Sequence, residues 1–267
     1  MKVSTSGRMG WLVAVLALAL LPGAIAQQDK DLLGYWPFDE GTGATTRDQA
    51  GKNDLELVGN PVWTKNASGY CLLFDGSNER FVYGTRRTGA IGYRGSGIIE
   101  RGTISVWARP VDGGLAQPNP GDQAGRARVV CTEESTHVGI CDGRWCGLAY
   151  DHYRVEYIMG PPVVNDQWTH LAMTWNEVFA RFYVNGREII REEGPYLRCD
   201  ISGAEVNTWY RLYVSFPKHR QMFKGYVDDW KLFKRVLTPE EITAEYDREK
   251  DKRSITASNA NDKTRTP

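Results

Sequence analysis

The sequence predicts an all-β chain of short antiparallel strands with one helix near its C-terminal end. Three observations carry that prediction. Apolar and polar residues alternate with period two along most of the chain, tight-turn residues punctuate the alternation, and a single segment has helix-start chemistry. Glycine is abundant at 28 residues and aromatics make up 11%, a composition suited to strands joined by tight turns.

Taken in order, residues 1–26 read as a secretory signal and not as part of the fold. Lys2 and Arg8 are basic, Trp11 to Leu21 is unbroken and apolar, and Pro22-Gly23 ends the run. Ala24-Ile25-Ala26 then supplies small residues at signal-peptidase spacing. The apolar run is shorter than the roughly 20 residues that span a bilayer, and no Cys follows to take a lipid anchor. No later run is long enough to cross a membrane. The mature chain is expected to be secreted or extracellular, or periplasmic in a Gram-negative host. About 240 residues remain, enough for one large sandwich or two small domains.

Strands are expected near 32–38, 70–75, 80–83, 127–132, 145–150, 154–159, 210–216 and 223–233. The clearest alternation runs from Gly102 to Ala108, from Trp168 to Trp175 and from Phe179 to Val184. Asn185-Gly186 follows as a hairpin turn, because both residues tolerate positive φ. Gly84 to Gly102 and Pro110 to Gly125 read as long loops. Thr238-Pro239-Glu240-Glu241 gives an N-cap, a proline at the first helical position and a capping-box Glu. The helix is expected to run to about Arg248, and residues 248–267 to form a disordered polar tail, since they lack apolar periodicity. The folded domain is thus placed at 27–247.

Charge and cysteine usage exclude some functions. With 33 basic and 33 acidic residues, no basic excess recommends nucleic acid as a partner. The five cysteines (Cys71, Cys131, Cys141, Cys146, Cys199) suggest one or two disulfides and at least one free thiol. One bridge is expected among Cys131, Cys141 and Cys146, where it could clamp a hairpin. Zinc-ligand spacing is missing. The acid-x-acid-x-acid run at Asp247, Glu249 and Asp251 falls at the helix end among cations and reads as a solvated charge run. His170, on a strand, reads as a packed, hydrogen-bonded sheet residue. No nucleophile elbow, HExxH or P-loop is present, so the chain is not expected to be an enzyme. Asn66-Ala67-Ser68 is a glycosylation sequon marking a surface loop.

The ordered motifs add a resemblance. Gly34 to Gly43 (GYWPFDEGTG), Asp48 to Gly51, Leu73 to Asn78 (LFDGSN), Thr103 to Pro110, Trp168 to Ala172, Phe182 to Gly186 (FYVNG), Gly225 to Phe233 (GYVDDWKLF) and Leu237 to Ile242 occur in that order. Together they resemble laminin-G-like jelly rolls of the concanavalin A-like lectin/glucanase superfamily, over about residues 32–247. The resemblance implies two antiparallel sheets packed face to face. It also implies a structural calcium ion where the first and last strands meet, held by Asp39, Glu40, Asp48 and Asp228. Asp228 and Asp229 interrupt an otherwise apolar strand, and acids there need compensation. Function is expected to be non-catalytic binding of a carbohydrate or polysaccharide, with an extracellular protein-interaction or adhesion domain as the alternative and a glycoside hydrolase less favoured. Candidate ligand contacts are Trp145, Tyr153 and Trp209.

Overall fold

The computed structural model describes residues 29–51, 53–77, 80–84, 101–115, 125–132, 136–151, 154–176, 179–189, 212–215 and 221–260. Sixteen strands and one helix, numbered in chain order, fall within these residues. One sheet contains β1 (Leu32–Trp36), β4 (Val62–Lys65), β5 (Tyr70–Asp75), β7 (Gly102–Leu115), β12 (Thr169–Trp175), β13 (Ala180–Val184), β14 (Arg187–Glu188) and β16 (Phe223–Phe233). The other contains β2 (Thr45–Thr46), β3 (Leu55–Val58), β6 (Phe81–Gly84), β8 (Arg126–Thr132), β9 (Thr136–Cys141), β10 (Arg144–Asp151), β11 (Arg154–Pro162) and β15 (Leu212–Val214). Helix α1 covers Pro239–Ala260.

The order in the first sheet is β14-β13-β12-β7-β16-β5-β4, with β1 also on β16. The second runs β11-β10-β9-β8-β15-β6-β3-β2. All pairings are antiparallel, so the expected two-sheet antiparallel sandwich is what forms. Strand β7 continues to Leu115, past the Pro110 at which a loop was expected.

Period two decides what goes inside. Ile104, Val106 and Ala108 of β7 enter the core with Leu171 and Met173 of β12, Phe182 of β13 and Trp230 of β16. Trp36 meets Trp230 with ring centroids 4.6 Å apart, so the first and last strands share one aromatic contact. Phe182 also fits the sheets together at one edge. A Cβ on Gly147 or Gly160 would come within 2.8 or 3.0 Å of its ring, so both glycines let β10 and β11 approach β13.

The opposite face of the first sheet is covered by α1. A small apolar cluster (Ala172, Tyr183, Phe233, Leu237 and Ile242) holds the helix start. The rest of the contact is polar. Glu245 accepts from the Ser105 hydroxyl at 2.8 Å, Glu249 from Trp107 Nε1 at 2.7 Å, and Lys231 Nζ donates to both acids. Further on, the Arg253 guanidinium pairs with Asp228 and Asp229. These contacts correct the expected boundary at Arg248: the helix continues to Ala260 because buried ion pairs tie Glu249 and Arg253 to the sheet. Glu249 is therefore not solvated, although Asp247 beside it is exposed. Residues 1–26 and 261–267 lie outside the described residues.

Candidate functional site

Two hairpins, one from each sheet, end at the same edge of the sandwich. Asp142-Gly143 joins β9 to β10, and Asn185-Gly186 joins β13 to β14. The pairs have φ of 50° and 73°, and of 51° and 76°; this is the doubly positive φ of a type I′ turn, which Asn/Asp-Gly adopts at little cost. The turns are pinned from outside. Val163 N donates to Gly143 O at 2.9 Å, and the Thr243 hydroxyl of α1 donates to Gly186 O at 2.8 Å. Asn185 is fixed twice, its N–H donating to His170 O and its Oδ1 accepting from His170 N.

Between these tips lies a cavity of about 910 Å³, within the size range of small-ligand sites. Arg144, Tyr157, Met159 and Gly160 line it from the second sheet, Val184, Asn185 and Arg187 from the first, and Tyr246 from α1. Tyr157 is braced by Arg126, whose guanidinium lies 4.9 Å from the ring centre and donates to its hydroxyl at 3.1 Å. Tyr246 stacks on Trp107 at 5.8 Å with 23° between planes. Both rings are half-buried and held before any ligand arrives. No Asp or Glu is among the described lining residues.

Of the expected ligand contacts, Trp145 points the other way. It is 2% exposed and belongs to the main core, and its neighbour Arg144 is the residue that reaches the cavity. Tyr153 and Trp209 lie outside the described residues. Sequence reasoning missed Tyr157, Tyr246 and Arg187, although the Asn185-Gly186 turn it identified places Arg187.

The four acids expected to hold calcium are not assembled as a cation site. Asp48 accepts from the N–H groups of Tyr35, Ala50 and Asn53 and from the Asn53 side-chain amide; it organises the β1–β2 loop through donors that a metal would have to displace. Asp39 accepts from Tyr70 N at 2.9 Å, and Glu40 from the Thr46 hydroxyl and Arg47 N. Asp39 and Glu40 border a separate hollow of about 700 Å³ with Asp54 and Arg47. Asp228 is 1% exposed and bound by Arg253 and by the Asn66 amide at 2.9 Å. Among the described residues no group of three or more His, Cys, Asp or Glu side chains can hold a metal ion. The residues present do not fit calcium: the compensation that Asp228 needs comes from Arg253. Asn66 is likewise committed, donating to both Asp228 and Tyr70 O, so the sequon lies in a structural turn.

No disulfide joins Cys71, Cys131, Cys141 or Cys146 to one another, so the bridge expected among Cys131, Cys141 and Cys146 is not formed. Register separates Cys131 from the others. It pairs with His137, four positions along β9 from Cys141, about 13 Å at strand rise. Cys141 and Cys146 do meet across the hairpin, one pairing with Arg144 and the other with Gly139. A hydrogen bond from Cys146 brings the Cys141 thiol down to about 7, and the same contact pushes Cys146 up. Cys199 lies outside the described residues. His170 is 1% exposed and packed against Trp107 and Tyr246. The hydrogen bonds expected of its ring are missing: neither ring nitrogen has a partner, and burial holds the imidazole below its ordinary value.

A laminin-G-type family model, described as concanavalin A-like lectin/glucanases superfamily, matches residues 99–243. No curated protein matches the chain. Among solved structures, the binding domain of Paraclostridial Mosquitocidal Protein 1 is 13% identical with a TM-score of 0.57, over 82% of this chain and 52% of that one. The botulinum neurotoxin serotype D ligand binding domain in complex with N-acetylneuraminic acid is 11% identical with a TM-score of 0.59, over 82% and 51%. The binding domain of botulinum neurotoxin DC in complex with rat synaptotagmin II is 12% identical with a TM-score of 0.59, over 82% and 52%. The chain thus spans about half the length of these structures, and the likeness is one of fold.

Proposed function

This chain belongs to the laminin-G-like group of the concanavalin A-like lectin/glucanases superfamily, and from that footing we propose that it is an exported, non-catalytic binding module for a carbohydrate. The observation that carries the reading is the cavity between the two hairpin tips. It is lined by two tyrosines, an amide held in place by its neighbours and two arginines. Sugars ask for that mixture, because their C–H faces lie against aromatic rings while their hydroxyls need hydrogen-bond partners. The Asn185 Oδ1 is already used by His170 N, which fixes the amide plane and leaves its NH2 as the donor.

A carbohydrate is preferred to a protein partner on surface grounds. The large hydrophobic side chains exposed among the described residues are Val62 and Val164, and two isolated valines do not make the apolar patch that marks a protein interface. The structural relative solved with N-acetylneuraminic acid accords with a sugar ligand, and the one solved with synaptotagmin II sets the competing outcome.

The test is a broad glycan and polysaccharide array probed with the folded chain, with calcium and again with EDTA. Selective binding that Tyr157→Ala abolishes while the circular dichroism spectrum is unchanged is expected, with the same pattern in EDTA. A blank array from folded protein overturns the reading and favours an extracellular protein partner.

A further inference from the structure

The two hairpin tips share a sequence feature that the fold brings together. Asp142-Gly143-Arg144 and Asn185-Gly186-Arg187 each place an arginine directly after a type I′ turn, Arg144 opposite Cys141 and Arg187 opposite Val184. One comes from each sheet, and both line the same cavity. Both side chains are exposed, and neither makes an ion pair with a described residue. Five other arginines, Arg80, Arg109, Arg181, Arg235 and Arg253, each pair with a carboxylate. In a chain of zero formal net charge, two unpaired guanidiniums facing one cavity that has no described acidic lining residue form a local anion site.

We infer that the cavity selects acidic glycans, binding the anionic group of a sugar through Arg144 and Arg187 while Tyr157 and Tyr246 carry the ring. The inference rests on the cavity being a glycan site and adds the charge class of its ligand. Guanidinium suits the task because its planar fork offers two parallel N–H donors to a carboxylate or a sulfate ester, whereas an ammonium offers a point charge. The turns hold the Cα atoms of both arginines on pinned backbone, so side-chain freedom is the main thing binding has to restrict.

The experiment measures binding of the full chain to oligogalacturonate, hyaluronan oligosaccharide and sialyllactose, against the carboxyl-reduced oligosaccharides and lactose. Dextran sulfate against dextran tests the sulfate source. At least one acidic glycan is expected to bind tenfold or more tightly than its neutral counterpart. Arg144→Gln and Arg187→Gln should each weaken that acidic glycan about tenfold and the neutral form less, so that the acidic preference narrows, and Arg187→Lys should recover only part of the loss. Preference for dextran sulfate alone would assign the site to sulfate esters. Equal binding of acidic and neutral forms, or glutamine variants that bind like the parent, overturns the inference while the glycan module stands. Stronger binding of poly-glutamate than of any acidic glycan also overturns it, in favour of an acidic peptide. Binding of no glycan by folded chain removes the module reading itself.

Discussion

Asp228, Asp229 and Arg253 show what a single residue could and could not disclose. That two acids in an apolar strand need compensation is legible in the sequence. The identity of the cation was not, because Arg253 stands 25 positions from Asp228 in a polar stretch with no signal of where it docks. Register explains the geometry. Asp228 pairs with Trp107 and Lys231 with Ser105, so a bulge at Asp229, with φ of 49°, turns both Asp228 and Lys231 toward α1. Burial pushes the Asp228 and Asp229 carboxyls upward, and Arg253 opposes this. Arg253→Ala should cost about 3–5 kcal/mol, the usual penalty for leaving buried charge unpaired. Urea denaturation should show a smaller loss near pH 5 than near pH 8, because the stranded carboxyls can then take up protons. Cys141 offers a second test. With its thiol near 7, its alkylation rate should rise through a midpoint about pH 7, against a higher midpoint for Cys71, whose thiol burial pushes up to about 12.

At the scale of elements, helix α1 was half legible. Its start followed capping rules, and the box forms: Glu241 N donates to the Thr238 hydroxyl at 3.3 Å and Thr238 N to the Glu241 carboxylate at 2.8 Å. Its end carried no apolar stripe to read, because Glu245, Glu249 and Arg253 face the sheet. Strand β9 was missed, although all six of its residues are buried. Cleaving the chain after Arg248 gives a sharp check. A solvated tail would leave the melting temperature unchanged. Loss of Glu249 and Arg253 instead strands Trp107 Nε1 and Asp228 and leaves Lys231 with Glu245 alone, and should lower stability by several kcal/mol, about as much as Arg253→Ala or more.

Over the whole molecule, the sandwich was readable because period-two alternation recurs in β5, β7, β13 and β16 and fixes which face of each strand is inside. The cavity was not, because it exists only where hairpins from different sheets end side by side. Two buried imidazoles give the molecule a global pH response. Burial holds His137 and His170 below the ordinary 6.5, so below that value the unfolded chain binds more protons than the folded one. The contribution of these imidazoles to stability should therefore fall as pH drops from about 7.5 to 5.5, against the opposite contribution of the upward-shifted Asp228 and Asp229, and His170→Phe should gain stability relative to the parent as pH falls in urea titrations. The docking of α1 also sets a timetable. A ribosome makes Asp228 and Asp229 some two dozen residues before the arginine that neutralises them, and the polypeptide exit tunnel still shelters that arginine when β16 first emerges. A chain that stops short of Arg253 is thus left with two carboxylates of β16 lacking their guanidinium partner.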